Sequence, residues 1–400
     1  MYFYPIMSFL SWPIIQSDKQ TFAPWLLSAY VFTTLFQIAI YLIFRFLYTR
    51  ITHPSIPGKA VTSVTTLPLP PCTVLICSRN EAENLARHLP EILEQTYTGT
   101  FEVLVVNDAS RDDSMLVLEK LGKKYAHLKV LNLSKKDGPG KKNALTRGIV
   151  VAKYDHLLLT DADCRPASAL WLANMMEVLC AKPETEIVLG YGPTISEAGF
   201  LNKWARFETL NTAVQYLSFA AAGFAYMGVG RNLSWKKKTF ERANGFAEHL
   251  DLASGDDDLF VNQAAAKTNV ALCVTPESFM YSRGKNEWTQ WFRQKKRHLS
   301  TGTRYRPVHR ILLGSIALTH VLHYTLLLIL LFYGFQTGAV FSFYLLRLIS
   351  VRIALQKFMR HLGESDLRSL IPLYDFVMAL YYGTFVPLSL LQKSDLKSWK

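Results

Sequence analysis

Leu157-Leu158-Leu159-Thr160-Asp161-Ala162-Asp163-Cys164 is the stretch that decides the fold. An apolar run ends in two carboxylates at i and i+2. Read as a buried strand, it leaves the cover of a sheet where Asp161 and Asp163 begin. Strand alternation sends both side chains to one side of the strand's carboxyl end. Two hard oxygen ligands there suit a divalent cation that keeps waters and takes the rest of its shell from substrate phosphates. An acidic turn is the plainer alternative, since Asp is a common turn residue. The neighbouring sequence decides between them.

Working outward, Thr73–Cys77 predicts a short apolar strand, followed by the polar turn Ser78-Arg79-Asn80-Glu81. A helix is expected over 82–96, a strand over 101–106 ending in Asn107-Asp108, and a helix over 111–125. A strand over 128–133, a helix over 141–152 and a strand over 156–160 complete the series. Strands alternating with helices of about a dozen residues predict an α/β unit, a mostly parallel sheet with helices on both faces. Ligands of such sheets bind at the carboxyl ends of the strands. Three of these ends carry polar or acidic residues: Asn80 and Glu81, Asn107 and Asp108, Asp161 and Asp163.

Three further constellations add chemistry. Asp137-Gly138-Pro139-Gly140-Lys141-Lys142 is a glycine-rich turn opening a helix. It is either a phosphate cradle with a lysine or a simple turn with a solvated basic face, and it is not a Walker loop. Asp256-Asp257-Asp258 precedes an apolar helical stretch. Adjacent carboxylates repel, so one of them has a raised pKa and can serve as a general base, while Asp also caps helices well. Trp288–Thr301 is aromatic and basic. It reads as an interfacial amphipathic helix, or as a helix that aims Gln294 and Arg297, one turn apart, at a phosphate.

The chain has 400 residues, half of them hydrophobic, and a formal net charge of +13. Residues 22–44 contain no charged side chain, long enough to cross a bilayer. Residues 1–15 are apolar but broken by Pro5 and Pro13, and are expected to lie in the interface. Residues 311–335 form a second uncharged run containing His320 and His323. Two weaker candidates follow, 340–356 with Arg347 and Arg352, and 370–391 with Asp375. Their charges are expected to face protein or to snorkel. The expected organisation is an N-terminal segment over 1–50, a proline-rich linker over 51–71, an α/β domain over 72–305, and two or three membrane helices within 306–400. Basic residues flank the anchors on the inner side, which puts the α/β domain in the cytoplasm. The positive charge then answers anionic lipid and substrate phosphate, and no nucleic-acid-binding motif is present. Five scattered cysteines in that compartment are expected to be free thiols.

Taken together, Thr73–Leu85 (TVLICSRNEAENL), Val103–Asp112 (VLVVNDASRD), the Gly140-Lys141 helix start and Thr160–Asp163 resemble family 2 glycosyltransferases of the GT-A fold. The likeness runs from about Thr73 to Gly302. The resemblance implies an inverting transfer of a sugar from a nucleotide-sugar donor, uridine being the family's commonest base, to a lipid-linked or glycan acceptor. It implies nucleoside contacts from Asn80, Glu81 and Asp108, with Asn107 replacing a family aspartate. Lys141 falls near the pyrophosphate, and Asp161 and Asp163 match the motif that binds Mg²⁺ or Mn²⁺. Asp256 falls on the catalytic base, although Gly255 stands where the family has glutamate, which leaves Asp257 and Asp258 as rivals. Gln294 and Arg297 match the Gln-x-x-Arg pair that closes on the leaving group. His298 replaces the tryptophan of processive synthases, which tells against polymerisation. A multi-pass protein of a bacterial cell membrane is expected. The rival readings are a catalytically inactive nucleotide-sugar-binding membrane protein, an Asp-x-Asp phosphotransferase and a transporter.

Overall fold

The computed structural model describes residues 13–52, 68–135 and 140–387. Residues 1–12 of the expected interfacial segment over 1–15, residues 53–67 of the linker over 51–71, the turn residues 136–139, and residues 388–400, with the end of the candidate over 370–391, lie outside the described residues. The chain begins with α1 (Pro13–Thr52) and then alternates: β1 (Cys72–Ser78), α2 (Ala82–Leu93), β2 (Phe101–Asp108), α3 (Ser114–Lys124), β3 (Leu128–Leu133), α4 (Lys142–Val151), β4 (His156–Asp161). β5 (Cys164–Pro166), α5 (Trp171–Cys180), β6 (Ile187–Gly190), α6 (Phe200–Ala221), β7 (Leu233–Lys236) and α7 (Lys237–Arg242) follow. The domain ends with α8 (Asp258–Ala264), β8 (Val270–Cys273), β9 (Met280–Ser282) and α9 (Trp288–Leu299). Among the described residues three further α-helices follow: α10 (Pro307–Tyr333), α11 (Thr337–His361) and α12 (Ile371–Leu380).

Seven strands form the main sheet in the order β3-β2-β1-β4-β7-β6-β8. β1, β2, β3 and β4 are parallel, and β7 runs antiparallel between β4 and β6. Every residue of β1 is buried, as a strand covered on both faces requires. The run that opened the sequence reading is β4, sandwiched between β1 and β7, with Leu157, Leu158 and Leu159 buried. α3 starts at Ser114, later than the periodicity suggests. Asp112 accepts hydrogen bonds from the backbone of Ala82 and Ser114 and so belongs to the preceding turn. A two-stranded ladder, β5 with β9, lies outside the main sheet and pairs Cys164 with Ser282.

Residues 22–51, 307–333 and 337–361 form three helices long and apolar enough to cross a membrane. α1 packs along both α10 and α11. One continuous apolar cluster runs from Leu189 and Trp235 of the sheet, through Trp204 and Leu217 of α6, to Phe44 of α1 and Phe358 of α11. Arg347 and Asp375 face protein, as charges in apolar segments should. Arg347 is fully buried, with Nη1 2.5 Å from Asp375 Oδ2. Tyr324 donates to the same oxygen, and Arg347 also donates to Gln37 on α1. Arg352 is exposed instead.

The segment expected over 370–391 behaves differently from the other two. α12 is continued by a π-helical turn (Tyr381–Phe385) to residue 387, and residues 388–391 of the expected segment lie outside the described residues. Tyr374 packs on Phe200, Trp204 and Phe207 of α6, and Tyr381 just beyond the helix packs on Trp204 and Trp291. It therefore lies against the α/β unit, while Asp375, the next residue, ties it to the long helices.

Candidate active site

The parallel register brings the predicted strand ends together. Cys77 at the end of β1 pairs with Asp161 of β4, and Ser78 pairs with Asn107 of β2. The turns beyond are held by side chains that sequence reasoning placed on a nucleoside. Asn80 takes a left-handed backbone (φ 53), which Asn tolerates. Its Oδ1 accepts from the backbone of Arg111 at 2.8 Å. Asn107 accepts from Ser110 Oγ and donates to Asn132 Oδ1, so the residue replacing the family's aspartate knits β2 to β3. Glu81 is buried and accepts from Asn84 at 2.5 Å. Asp108 is buried with Arg79 Nη1 at 3.9 Å. Beside it opens a cleft of about 510 Å³ lined by Arg79, Ala109–Arg111 and Asn132–Lys135.

The acidic centre lies at the end of β4. Ligand atoms of Asp161, Asp163 and Cys164 lie within 4.8 Å of one another. The two carboxylates fit a hard divalent cation. The Cys164 sulfur does not: burial holds its thiol well above the usual range, and Sγ donates weakly to Asp163. Lys141 enters the same centre, with Nζ 2.9 Å from Asp161 Oδ1 and 2.9 Å from Asp256 Oδ2. Burial alone would lower the lysine's pKa, but these carboxylates outweigh it and hold the ammonium well above its usual value. Burial likewise opposes ionisation of Asp161, and Lys141, with Arg231 and Arg297 behind it, turns the balance below the usual carboxylate range.

The three aspartates of 256–258 separate by what they touch. Asp257 accepts from the backbone of Gly230 at 2.7 Å and of Asp258 at 2.8 Å, and burial with its acidic neighbours pushes it to about 7. Asp258 accepts from Tyr305 Oη at 2.7 Å, from Thr301 Oγ1 and from its helix backbone. Both are committed to the fold around α8. Asp256 instead pairs with Lys141 and so faces the centre. Asp257 and Asp258, both raised by burial, are the two that also bond to the surrounding fold.

The loop bearing Asp256 is fixed from below. Lys142 is 1% exposed and donates to the carbonyls of His249 (2.5 Å) and Leu252 (3.1 Å). Burial pulls its pKa down to about 8. Gly140 (φ 64) lies so close that a Cβ would sit 2.1 Å from Ala253 O, so only glycine fits. The reading of this turn named Lys141 and gave Lys142 no role. A lysine among apolar helix positions was the available signal. Gln294 and Arg297 lie one turn apart on α9, half-buried. The resemblance to the family puts Arg231 in a turn of an acceptor-side segment, 226–246, and the structure adds that its Nη1 donates to Ser282 Oγ.

Residues 73–244 match the family described as "Glycosyl transferase family 2". A beta-monoglucosyldiacylglycerol synthase from Nostoc sp. is 30% identical over 105 residues, 26% of this chain and 22% of that protein. The chain thus aligns with about a fifth of that relative's length. A probable glycosyltransferase, YdaM, from Bacillus subtilis is 24% identical over 286 residues, 69% of this chain and 64% of the relative. Among solved structures, the mannosyltransferase PcManGT from Pyrobaculum calidifontis, in complex with GDP-Man and Mn²⁺, superposes with a TM-score of 0.53 at 18% identity. It covers 89% of this chain and 99% of its own, a likeness of fold. Residues 73–244, which carry β1 to β7, thus match glycosyl transferase family 2, and the fold around them is like that of a solved mannosyltransferase.

Proposed function

We propose that the protein is a membrane-anchored inverting glycosyltransferase, moving a sugar from a nucleotide-sugar donor to a hydroxyl of a lipid-linked or glycan acceptor. The observation that carries this is the meeting of Asp161, Lys141 and Asp256 in one centre at the carboxyl end of the sheet. The cleft beside Asp108 accepts the donor's nucleoside, with uridine the expected base. Asp161 and Asp163 hold Mg²⁺ or Mn²⁺, which supplies charge neutralisation at the donor diphosphate when bound. Asp256 takes the acceptor's hydroxyl proton, the acceptor oxygen bonds to the anomeric carbon, and the bond from that carbon to the diphosphate breaks. One displacement inverts the anomeric centre. Lys141, released from Asp161 as the donor enters, and Arg297 with Gln294 on α9 stabilise the departing charge.

The acceptor class rests on placement. α9 leads directly into α10, so the centre opens beside the apolar helices, and the Nostoc relative's name is that of a glycolipid synthase. The ends of the long helices support a topology with three crossings. α1 ends and α10 begins at the α/β unit. α11 also ends there, where His361 donates to Val274 O at 2.7 Å and Arg206 of α6 holds Glu364 and Asp366. The C-terminus then lies on the cytoplasmic side with the catalytic domain, as Lys393, Lys397 and Lys400 favour by charge. A reporter fused at Lys400 tests it: activity on the cytoplasmic side is expected, and periplasmic activity would refute it. Acceptor transfer by purified protein, assayed with membrane lipid extract and nucleotide-sugars, tests the reaction.

A further inference from the structure

Arg231 is a cation beside this centre that the mechanism above does not employ. It follows Gly230, whose N–H is bonded to Asp257. Its Nη1 donates to Ser282 Oγ at 2.9 Å. Ser282 is paired across the small ladder with Cys164, the residue after Asp163, whose sulfur lies within 4.8 Å of the acidic ligand atoms. The guanidinium is therefore held by Ser282 beside the strand that carries the Asp161, Asp163 and Cys164 group. Gly192 makes the room: a Cβ there would stand 2.3 Å from Arg231 Nε and under 3 Å from Cδ and Cγ. Nε is buried without a hydrogen-bond partner among the described residues. Among the described residues no carboxylate forms an ion pair with this arginine, unlike Lys141. An arginine bracketed by a hydroxyl and a glycine, yet left without its own anion, is set to receive one.

We propose that Arg231 is an oxyanion-binding residue of this centre, held by Ser282 and Gly192 to take a phosphate oxygen. The inference rests on the glycosyltransferase reading. The phosphate belongs either to the donor's diphosphate or to an acceptor that carries its own.

The test uses the full-length protein in detergent with Mn²⁺. UDP, GDP and the corresponding monophosphates are titrated by calorimetry, and transfer to lipid extract is measured alongside. Arg231→Gln removes the cation. Gly192→Ala keeps the charge but displaces it, and so covers the case in which the first variant misfolds. A diphosphate contact predicts a loss of about tenfold in diphosphate affinity in both variants, the worth of one charge-assisted bond, with monophosphate affinity retained. A purely structural role would weaken both nucleotides together. Unchanged diphosphate affinity with a raised acceptor KM assigns the oxyanion to the acceptor. Unchanged affinity and unchanged acceptor KM overturn the inference while leaving the glycosyltransferase reading intact. Wild type that binds no nucleotide and transfers no sugar overturns both.

Discussion

Lys141 Nζ stands 2.9 Å from Asp256 Oδ2 and, on its other side, 2.9 Å from Asp161 Oδ1. One ammonium thus joins a carboxylate suited to hold a cation to a carboxylate suited to take a proton. The two come from distant parts of the chain, and α4 carries the lysine between them. A divalent cation held by Asp161 would compete with Lys141 for that carboxylate, and the lysine would then be free to meet negative charge on a donor.

Replacing Lys141 by methionine is therefore predicted to act in opposite directions on two measurements. Mn²⁺ binding without donor tightens by roughly tenfold, because Asp161 loses its competing charge. Transfer slows by about a hundredfold, because the leaving diphosphate loses a cation. Calorimetry and steady-state rates check the pair. Unchanged metal affinity would mean that Lys141 does not occupy the metal's place.

The acidic triplet should separate by phenotype. Asp256→Asn is predicted to lower transfer by about 10²–10⁴-fold, the usual worth of a general base, with little effect on thermal stability. Asp257→Asn and Asp258→Asn break hydrogen bonds to Gly230, Thr301 and Tyr305 and should lower Tm. Melting curves and rates measured together give the order, and a larger rate loss in Asp257→Asn would move the base to that residue.

Glu364 supplies a pH dependence. It is 2% exposed, and burial raises its carboxyl to about 7 despite Arg206 beside it. A folded pKa above the unfolded value means that the folded state binds the proton more tightly. Stability is then greatest near pH 4.5 and falls as pH rises to 7, by on the order of 2 kcal/mol. Asp366, which shares Arg206, is lowered and titrates below this window. Glu364→Gln should flatten the slope of Tm between pH 5 and 7. An unchanged slope would contradict the assignment.

The Arg347–Asp375 pair should show the asymmetry of buried charges. Arg347→Ala or Asp375→Ala alone leaves an unpaired charge and is predicted to cost about 3–5 kcal/mol. Replacing both by Met and Leu should be much milder. Thermal unfolding in detergent of the singles and the double gives the comparison, and equal losses in all three would refute it.

Much of this fold is legible in the sequence where one segment carries its own signal. β1 to β4 announce themselves by apolar runs ending in polar residues, and two of the three long helices by uncharged stretches. α11 was visible in spite of Arg347, because a charge buried against Asp375 costs the helix little. The short strands β5 to β9 escaped, since three or four residues set no period. Side-chain direction was the least legible feature. Asn80, expected at the nucleoside, also accepts from the backbone of Arg111, and Asn107 joins Ser110 to Asn132, partners that only the tertiary structure reveals. Asp257 and Asp258 are chemically identical to Asp256, and only Gly230, Thr301 and Tyr305 distinguish them. The packing of Tyr374 of α12 on aromatic residues of α6 is a contact that no local pattern shows.

The most direct test is donor turnover by the purified protein. UDP-, GDP- and CMP-sugars are offered with Mn²⁺ or Mg²⁺ and membrane lipid extract, with wild type beside Asp163→Ala. Metal-dependent transfer from one donor, with release of its nucleoside diphosphate and loss of both in the variant, is the result predicted here. Equal turnover in wild type and variant, or none from any donor with extract present, would contradict it.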